Sequence, residues 1–236
     1  MKVLITRQKN FAEKTKDLLT QINIDSVIAP VIEINYLDVK KEIENSINIY
    51  DFIILTSQNS LIGLDKNFNM NNLKSKKFLC IGPSTASLLA NYSLKSFNDP
   101  MPEFSSEKLI SQIEQIRDFK NSNYLICKGI GGKQTLSEFF KKSLISFNEI
   151  FLYERITKIQ NIDDIGEFTH IFVTSNDILK NLEHNFANKD QSFWIDKVIV
   201  AGNNKIAEKI KFSTKKVIVA NNPTDEEMIK TLLKNI

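Results

Sequence analysis

The sequence has few of the residues that mark secreted and metal-binding proteins. It contains two cysteines, Cys80 and Cys127, and two histidines, His170 and His184, among 236 residues. Each cysteine lies inside an apolar run, which predicts buried free thiols, and a structural disulfide is not expected in a reducing compartment. The histidines have no ligand spacing with each other or with the cysteines, so the sequence does not support a metal site.

Long apolar runs and a strong charge imbalance are also missing. The first ten residues, MKVLITRQKN, lack the apolar core of a signal peptide, and no run approaches the roughly 18 apolar residues of a membrane span. We therefore expect a cytoplasmic protein without membrane contact. The formal net charge of +3 is small and dispersed. Nucleic-acid binding is not expected, because such proteins typically carry a basic stripe with interleaved aromatic residues.

The remaining composition is that of a soluble globular protein, with 42% hydrophobic and 25% charged residues. Short apolar runs rich in Val, Ile and Phe alternate with amphipathic stretches such as 10–22, whose apolar residues recur at helical spacing. Ser106 is a predicted N-cap, and Thr224 with Glu227 three residues later is a predicted capping box. Strands that alternate with helices predict doubly wound parallel sheets, hence an α/β fold.

Four phrases occur twice, in the same order and at nearly constant distance. The offset is 121 residues for the first pair and 118 for the second. The pairs are VLITR (3–7) with YLICK (124–128), DFIILTS (51–57) with THIFVTS (169–175), KFLCIGPSTASLL (77–89) with KVIVAGNNKIAEKI (197–210), and SSEKLI (105–110) with TDEEMI (224–229). These pairs indicate a duplicated unit of roughly 120 residues, which predicts two similar domains. Periodicity alone favours a tandem split near residue 120.

Small polar residues follow the predicted strands in both repeats. Ligands of open α/β sheets bind beyond the carboxyl ends of the strands, where helix N-termini expose backbone N–H groups to anions. One such turn alone indicates only an N-cap, but six turns together predict a cleft that binds carboxylates or phosphates. They are Thr6-Arg7, Thr56-Ser57-Gln58-Asn59, Gly82-Pro83-Ser84-Thr85, Lys128-Gly129 with Gly131-Gly132, Thr174-Ser175-Asn176 and Gly202-Asn203-Asn204-Lys205.

No known catalytic or nucleotide-binding motif completes this pattern. The run GIGGK at 129–133 lacks the spacing of a phosphate loop, and the dinucleotide fingerprint GxGxxG is absent. The sequence shows no Ser-His-Asp arrangement, Cys-His pair or close carboxylate pair. The residues alone therefore predict a two-domain α/β protein with an anion-binding cleft and no evident cofactor.

The order of these phrases resembles the uroporphyrinogen-III synthase family over essentially the whole chain. The phrases that carry the resemblance include VLITR, IGPSTA, the LYER of 152–155 and IFVTS. The resemblance implies a hydro-lyase of tetrapyrrole (heme) biosynthesis that closes hydroxymethylbilane with inversion of ring D, without a metal or organic cofactor. Hydroxymethylbilane synthase is the expected supplier of the substrate, and the expected state is a monomer.

The same resemblance implies a fold and a set of site residues. Two doubly wound α/β domains, 1–34 with 158–236 and 38–151, are expected to be joined by a two-stranded β linker at about 32–38 and 151–158, with the active-site cleft between the domains. Tyr153 is the implied proton donor. The implied substrate-binding residues are Arg7, Thr56, Ser57, Asn59, Gly82, Pro83, Ser84, Thr85, Lys128, Gly129, Thr174, Ser175, Asn203 and Lys205, with Arg7 and Lys128 as charge partners.

Three other interpretations remain open at this point. A non-enzymatic, two-lobed protein that binds small anions would also duplicate an α/β domain, although such proteins of the periplasmic type carry a signal peptide. A nucleotide- or sugar-phosphate-binding enzyme would use the same strand ends, although its fingerprints are absent. A diverged family member with only a regulatory role is the third.

Overall fold

A computed structural model describes residues 1–41, 46–100, 104–161 and 164–236. They form two compact units: Met1–Glu33 with Ile156–Ile236, and Ile34–Arg155. The domain and linker boundaries implied by the resemblance stay a prediction. Among the described residues, no helix is long and apolar enough to cross a membrane.

Strands and helices alternate along the chain, as the apolar pattern predicts. In chain order the elements are β1 (Lys2–Ile5), α1 (Lys9–Gln21), β2 (Asp25–Ile28), β3 (Ile32–Tyr36), β4 (Phe52–Leu55), α2 (Gln58–Asn67), β5 (Lys77–Cys80), α3 (Pro83–Ala90), α4 (Ser106–Ile113), β6 (Tyr124–Gly129), α5 (Thr135–Lys142), β7 (Phe147–Thr157), β8 (His170–Val173), α6 (Asn176–Asn185), α7 (Gln191–Ile195), β9 (Val198–Ala201), α8 (Asn204–Ala207), β10 (Lys216–Val219) and α9 (Asp225–Leu233).

The first unit has a five-stranded sheet in the order β10-β9-β8-β1-β2. All of its neighbouring strands are parallel. Val3, Leu4 and Ile5 in β1 are fully buried, because a central parallel strand is covered on both faces and therefore forms a continuous apolar run. The α/β class with parallel sheets is confirmed.

The second unit has a five-stranded sheet in the order β3-β7-β6-β4-β5. Its last four strands are parallel. In contrast, β3 runs opposite to β7, since Val31 O accepts from Lys158 N while Leu37 N donates to Leu152 O. Alternate residues of β4 enter different clusters, with Phe52 and Ile54 in one and Ile53 and Leu55 in the other. Both faces of this sheet are therefore packed.

Each sequence repeat contributes strands to both sheets. From the first repeat, β1 and β2 lie in the first unit and β4 and β5 in the second; from the second repeat, β8 and β9 lie in the first and β6 and β7 in the second. At the centre of each sheet, strands from different repeats pair, β1 with β8 and β4 with β6. The tandem split near residue 120 is therefore wrong.

Two predicted helix caps are corrected. The N-cap of α4 is Ser105 and not Ser106, because Ser105 is extended and its side chain accepts from Lys108 N at 3.1 Å. Thr224 precedes α9 but makes no side-chain cap bond. Its hydroxyl donates to Asn222 Oδ1 at 2.6 Å. The carboxylate of Glu227 accepts from Asn221 Nδ2 at 2.7 Å, so the predicted capping box does not form.

Candidate active site

The carboxyl ends of β4 and β6 form the switch point of the second sheet. From β4 the chain moves to β5 on one side, whereas β6 lies on the other side of β4. Open α/β sheets bind ligands at such a point. A pocket of about 290 Å³ lies at this position, and its lining includes Thr56 and Ser57 after β4, Lys128 and Gly129 at the end of β6, and Tyr153 and Arg155 in β7.

Tyr153 lies at the centre of the polar contacts in this pocket. The residue is 2% exposed. Its hydroxyl lies 2.9 Å from Ser57 Oγ and accepts a hydrogen bond from Arg155 Nη2 at 3.2 Å. The guanidinium carbon of Arg155 lies 5.3 Å from the centroid of the Tyr153 ring, within the range of a cation–π contact. The guanidinium of Arg155 therefore lies over the ring of Tyr153, and both Arg155 and Ser57 contact its hydroxyl.

Gly129 lets the ring of Tyr153 approach the backbone of β6. A Cβ atom added at Gly129 would lie 2.5 Å from Cε2 and Cζ of Tyr153. The register of β6 against β7 shifts between Lys128 and Gly129, and Ile130 N donates to Tyr153 O at 2.8 Å. Any side chain at this position would displace the tyrosine ring.

The exchange Gly129→Ala should destabilise the protein and reduce turnover, because the added methyl group overlaps the Tyr153 ring. Overpacking of this kind costs about 1–3 kcal/mol of unfolding free energy. The matched control is Gly131→Ala in the same loop, where φ is +71° and no atom lies within 4 Å of the added Cβ. Urea unfolding and kcat measure both effects. Gly131→Ala should cost about 1–2 kcal/mol in backbone strain and retain turnover; equal kcat values for the two variants would contradict this role of Gly129.

Lys128 is held by protein acceptors. Lys128 is only 3% exposed. Its Nζ donates to Glu149 Oε1 at 2.7 Å, to Lys133 O at 3.0 Å and to Gln134 Oε1 at 3.4 Å. An ammonium group has three N–H donors, so these contacts use all of them. The geometry favours Lys128 as an anchor of the loop 129–134, while its implied role as a charge partner of the substrate stays a prediction.

Glu149 completes this buried charge pair. Ser137 Oγ donates to the same Oε1 that Lys128 binds. Burial by itself would raise the pKa of Glu149, but the hydrogen bonds from Lys128 and Ser137 and the charges of Lys128 and Lys141 outweigh burial. The pKa of this carboxyl therefore lies below its ordinary value of 4.5, and Glu149 is ionised at neutral pH.

The first unit contains a matching arrangement at the end of β1. Arg7 Nη1 lies 2.6 Å from Asp225 Oδ1, and Thr15 Oγ1 donates to the same oxygen at 2.6 Å. In the repeat, Arg7 corresponds to Lys128. Each unit thus pairs a cation at a strand end with a carboxylate that also accepts from a hydroxyl on the following helix. Arg7, like Lys128, already has a carboxylate partner.

Thr56 and Asn59 bind neighbouring protein groups. Thr56 Oγ1 donates to Cys127 O at 2.9 Å. Asn59 is 6% exposed, and its Oδ1 accepts from Tyr36 OH at 3.0 Å. Burial is the main cause that raises the pKa of Tyr36 to about 12. Both cysteines are free and buried, and burial raises the pKa of the Cys80 thiol to about 11.

The remaining predicted residues lie at helix starts. In the second unit Gly82 precedes α3, which begins at Pro83, while Ser84 is exposed and Thr85 buried. None of these four lines the pocket. In the first unit Ser175, after Thr174, caps α6 by accepting from Ile178 N at 3.2 Å, and Asn203 caps α8 by accepting from Ile206 N at 3.1 Å; Lys205 is exposed in α8. Their roles toward a substrate stay predictions.

The structure thus brings together part of the predicted set and adds further residues to it. Thr56, Ser57, Lys128, Gly129 and Tyr153 line one pocket. Arg155 lines it too and was missed as a site residue, although residues two apart in a strand point to the same face. A wider groove of about 890 Å³ in the same unit, with Asn67 and Tyr92 in its lining, contains none of the predicted residues. Within the described ranges, no group of three or more His, Cys, Asp or Glu side chains could hold a metal ion.

A protein-family model matches most of the chain. The model is HEM4, described as "Uroporphyrinogen-III synthase HemD", and it matches residues 13–230. A curated protein of Methanocaldococcus jannaschii, named "Putative uroporphyrinogen-III synthase", is 34% identical over 120 residues, which are 49% of this chain and 48% of that protein. The chain therefore aligns with about half the length of this relative.

Two solved structures share the fold at low sequence identity. The uroporphyrinogen-III synthetase of Helicobacter pylori 26695 is 14% identical with a TM-score of 0.66, and the alignment covers 100% of this chain and 99% of that one. A mutant uroporphyrinogen III synthase of the extremely thermophilic bacterium Thermus thermophilus is 13% identical with a TM-score of 0.61, with 100% of both chains covered. These likenesses support the two-domain α/β fold.

Proposed function

The chain belongs to the uroporphyrinogen-III synthase family, and we propose that it closes hydroxymethylbilane to uroporphyrinogen III with inversion of ring D. The observation that carries the proposal is the placement of the Tyr153 hydroxyl in a pocket at the switch point, between Ser57 and Arg155. The pocket also offers a cation to an anionic substrate, since Lys133 belongs to its lining.

The reaction begins with departure of the terminal hydroxyl of the linear tetrapyrrole. Tyr153 is suited to protonate this leaving group, because it lines the pocket and its hydroxyl is a proton donor beside a cation. A positioned general acid contributes roughly 10²–10⁴-fold to the rate. The loss of water during ring closure makes the reaction that of a hydro-lyase.

The cation left by this departure attacks the substituted position of ring D, and the resulting spiro intermediate fragments and recloses. Spontaneous closure gives the unrearranged isomer, so the protein must hold ring D in the conformation that leads to inversion. Backbone N–H groups at helix N-termini beyond the strand ends, including the start of α2 after Ser57, would hold the substrate carboxylates. Supply of the substrate by hydroxymethylbilane synthase, a monomeric state and a cytoplasmic location stay predictions.

Turnover of hydroxymethylbilane tests this proposal against the two binding alternatives. The purified chain should consume the freshly generated linear substrate faster than the spontaneous reaction and with saturation. A nucleotide-binding enzyme would instead be stabilised by nucleotides in thermal melts, because a ligand that binds the native state raises its stability. Stabilisation by small anions without turnover would support the non-enzymatic alternative and contradict the proposal.

A further inference from the structure

We propose that Arg155 and Ser57 are positioning residues that fix the Tyr153 hydroxyl as a hydrogen-bond acceptor and direct its proton into the pocket. This inference rests on the proposed function only in that Tyr153 is the proton donor there. The hydrogen-bond geometry of the three side chains stands by itself.

We assign Ser57 as the donor in its contact with Tyr153. Its Oγ already accepts from Ser60 N at 3.2 Å, and its other contact is the Tyr153 hydroxyl at 2.9 Å. A serine hydroxyl has one proton to donate. In either direction, one of the two protons has no acceptor among the residues that the structure describes. Donation from Ser57 leaves the proton of the phenol, the more acidic of the two groups, available to a ligand in the pocket.

Arg155 must also donate to the Tyr153 oxygen. A guanidinium group has only donors and keeps its charge in proteins, so the contact of 3.2 Å between Arg155 Nη2 and Tyr153 OH has one direction. Arg155 follows Tyr153 by two residues on the same strand, β7, and therefore projects to the same face. The cation–π distance of 5.3 Å shows that the guanidinium lies over the ring.

Two donors on one phenol oxygen leave its proton pointing away from both of them. Ser57, Tyr153 and Arg155 all line the pocket, and a leaving hydroxyl bound there is the acceptor that we assign to this proton. When the proton departs, Arg155 stays beside the negative oxygen and stabilises it by charge and by a hydrogen bond. Arg155 therefore makes Tyr153 a more effective acid without touching the substrate itself.

A kinetic double-mutant cycle tests whether Arg155 acts through the Tyr153 hydroxyl. Arg155→Gln should lower kcat roughly tenfold with KM little changed. This loss of kcat is smaller than the roughly 10²–10³-fold loss caused by removing a donor that binds an oxyanion directly. The same exchange in a Tyr153→Phe background should cause no further loss, because the hydroxyl is gone. Arg155→Lys, which keeps the charge, should recover part of kcat. Arg117→Gln is the matched control, since the Arg117 side chain is 97% exposed. Additive losses in the cycle would overturn the inference.

A spectroscopic measurement tests the same geometry without turnover. In Raman spectra, the intensity ratio of the tyrosine Fermi doublet rises when the phenol oxygen accepts strong hydrogen bonds and falls when the hydroxyl donates. The difference between wild type and Tyr153→Phe isolates Tyr153. We expect an acceptor ratio that falls in Arg155→Gln and Ser57→Ala but not in Ser175→Ala, which removes the matching cap serine of the other repeat.

The two measurements separate the inference from the proposed function. If the Raman ratio depends on Arg155 and Ser57 but the protein does not consume hydroxymethylbilane, the positioning geometry is supported and the proposed reaction is contradicted. A ratio that is unchanged in Arg155→Gln would overturn the positioning role even if the wild-type protein turns over the substrate.

Discussion

Tyr153→Phe should lower kcat for hydroxymethylbilane by roughly 10²–10⁴-fold, the range that a general acid contributes. The substitution removes only the hydroxyl that contacts Ser57 Oγ at 2.9 Å and Arg155 Nη2 at 3.2 Å. The ring stays packed in its core cluster. Loss of hydrogen bonds to one hydroxyl costs only about 1 kcal/mol of unfolding free energy, so the fold should remain intact.

Tyr124→Phe is the matched control for this prediction. Tyr124 is also fully buried, its hydroxyl donates to Phe119 O at 3.1 Å, and it does not line the pocket. Both variants should lose similar stability in urea unfolding, while only Tyr153→Phe should lose turnover. A Tyr153→Phe protein that retains the wild-type kcat would remove Tyr153 from the mechanism.

Glu149→Gln should have the largest effect on stability. The exchange leaves the ammonium group of Lys128, whose side chain is 3% exposed, without its carboxylate at 2.7 Å. Breaking a fully buried pair costs about 3–5 kcal/mol. Because the Glu149 side chain is 22% exposed, we expect a loss on the order of 2–3 kcal/mol of unfolding free energy. Urea unfolding measures the difference.

Two further variants identify the cause of this loss. In Glu226→Gln the affected pair with Lys14 is exposed at both ends and spans 3.5 Å, so stability should change by less than about 1 kcal/mol. Adding Lys128→Met to Glu149→Gln removes the unpaired charge and should recover part of the loss. If the double variant is less stable than Glu149→Gln alone, the unpaired lysine is not the cause.

The same pair predicts a dependence of stability on pH. The pKa of Glu149 in the folded protein lies below its ordinary value of 4.5, so protons bind the unfolded state more readily. The stabilisation is complete above the ordinary pKa and is lost as the pH falls through the lowered pKa of the folded state. Glu149→Gln should lack this contribution. Equal slopes of unfolding free energy against pH for both proteins below about pH 4.5 would contradict the pairing.

The sequence predicts the α/β architecture because individual strands and helices form from patterns that are local in the chain. Short apolar strands and amphipathic helices are visible as periodic patterns. The pairing of strands is not local: β1 pairs with β8 although the two are more than 160 residues apart in the chain. A repeat of roughly 120 residues is visible in the sequence, but nothing in it shows that each repeat is shared between two sheets.

The candidate site likewise combines residues that the sequence identifies with contacts that only the folded structure shows. Ser57 and Lys128 were identifiable because they lie at the ends of β4 and β6, whose carboxyl ends meet at one edge of the sheet. Tyr153 was implied only by the resemblance to the family. The partner of Lys128 was not identifiable, because Glu149 lies 21 residues away and meets Lys128 only when β7 pairs with β6. Asp225 is still more distant from Arg7, at a separation of 218 residues. Strand-end cations could therefore be predicted as site residues but not as members of buried pairs.

The isomer composition of the product tests the central proposal most directly. Wild-type protein and Tyr153→Phe would each be added to freshly generated hydroxymethylbilane beside a protein-free control, and the oxidised porphyrins would be separated into isomers I and III. We predict predominantly isomer III with the wild-type protein, and isomer I at close to the spontaneous rate with Tyr153→Phe. Predominantly isomer I with the wild-type protein, at the rate of the protein-free control, would contradict the proposed function.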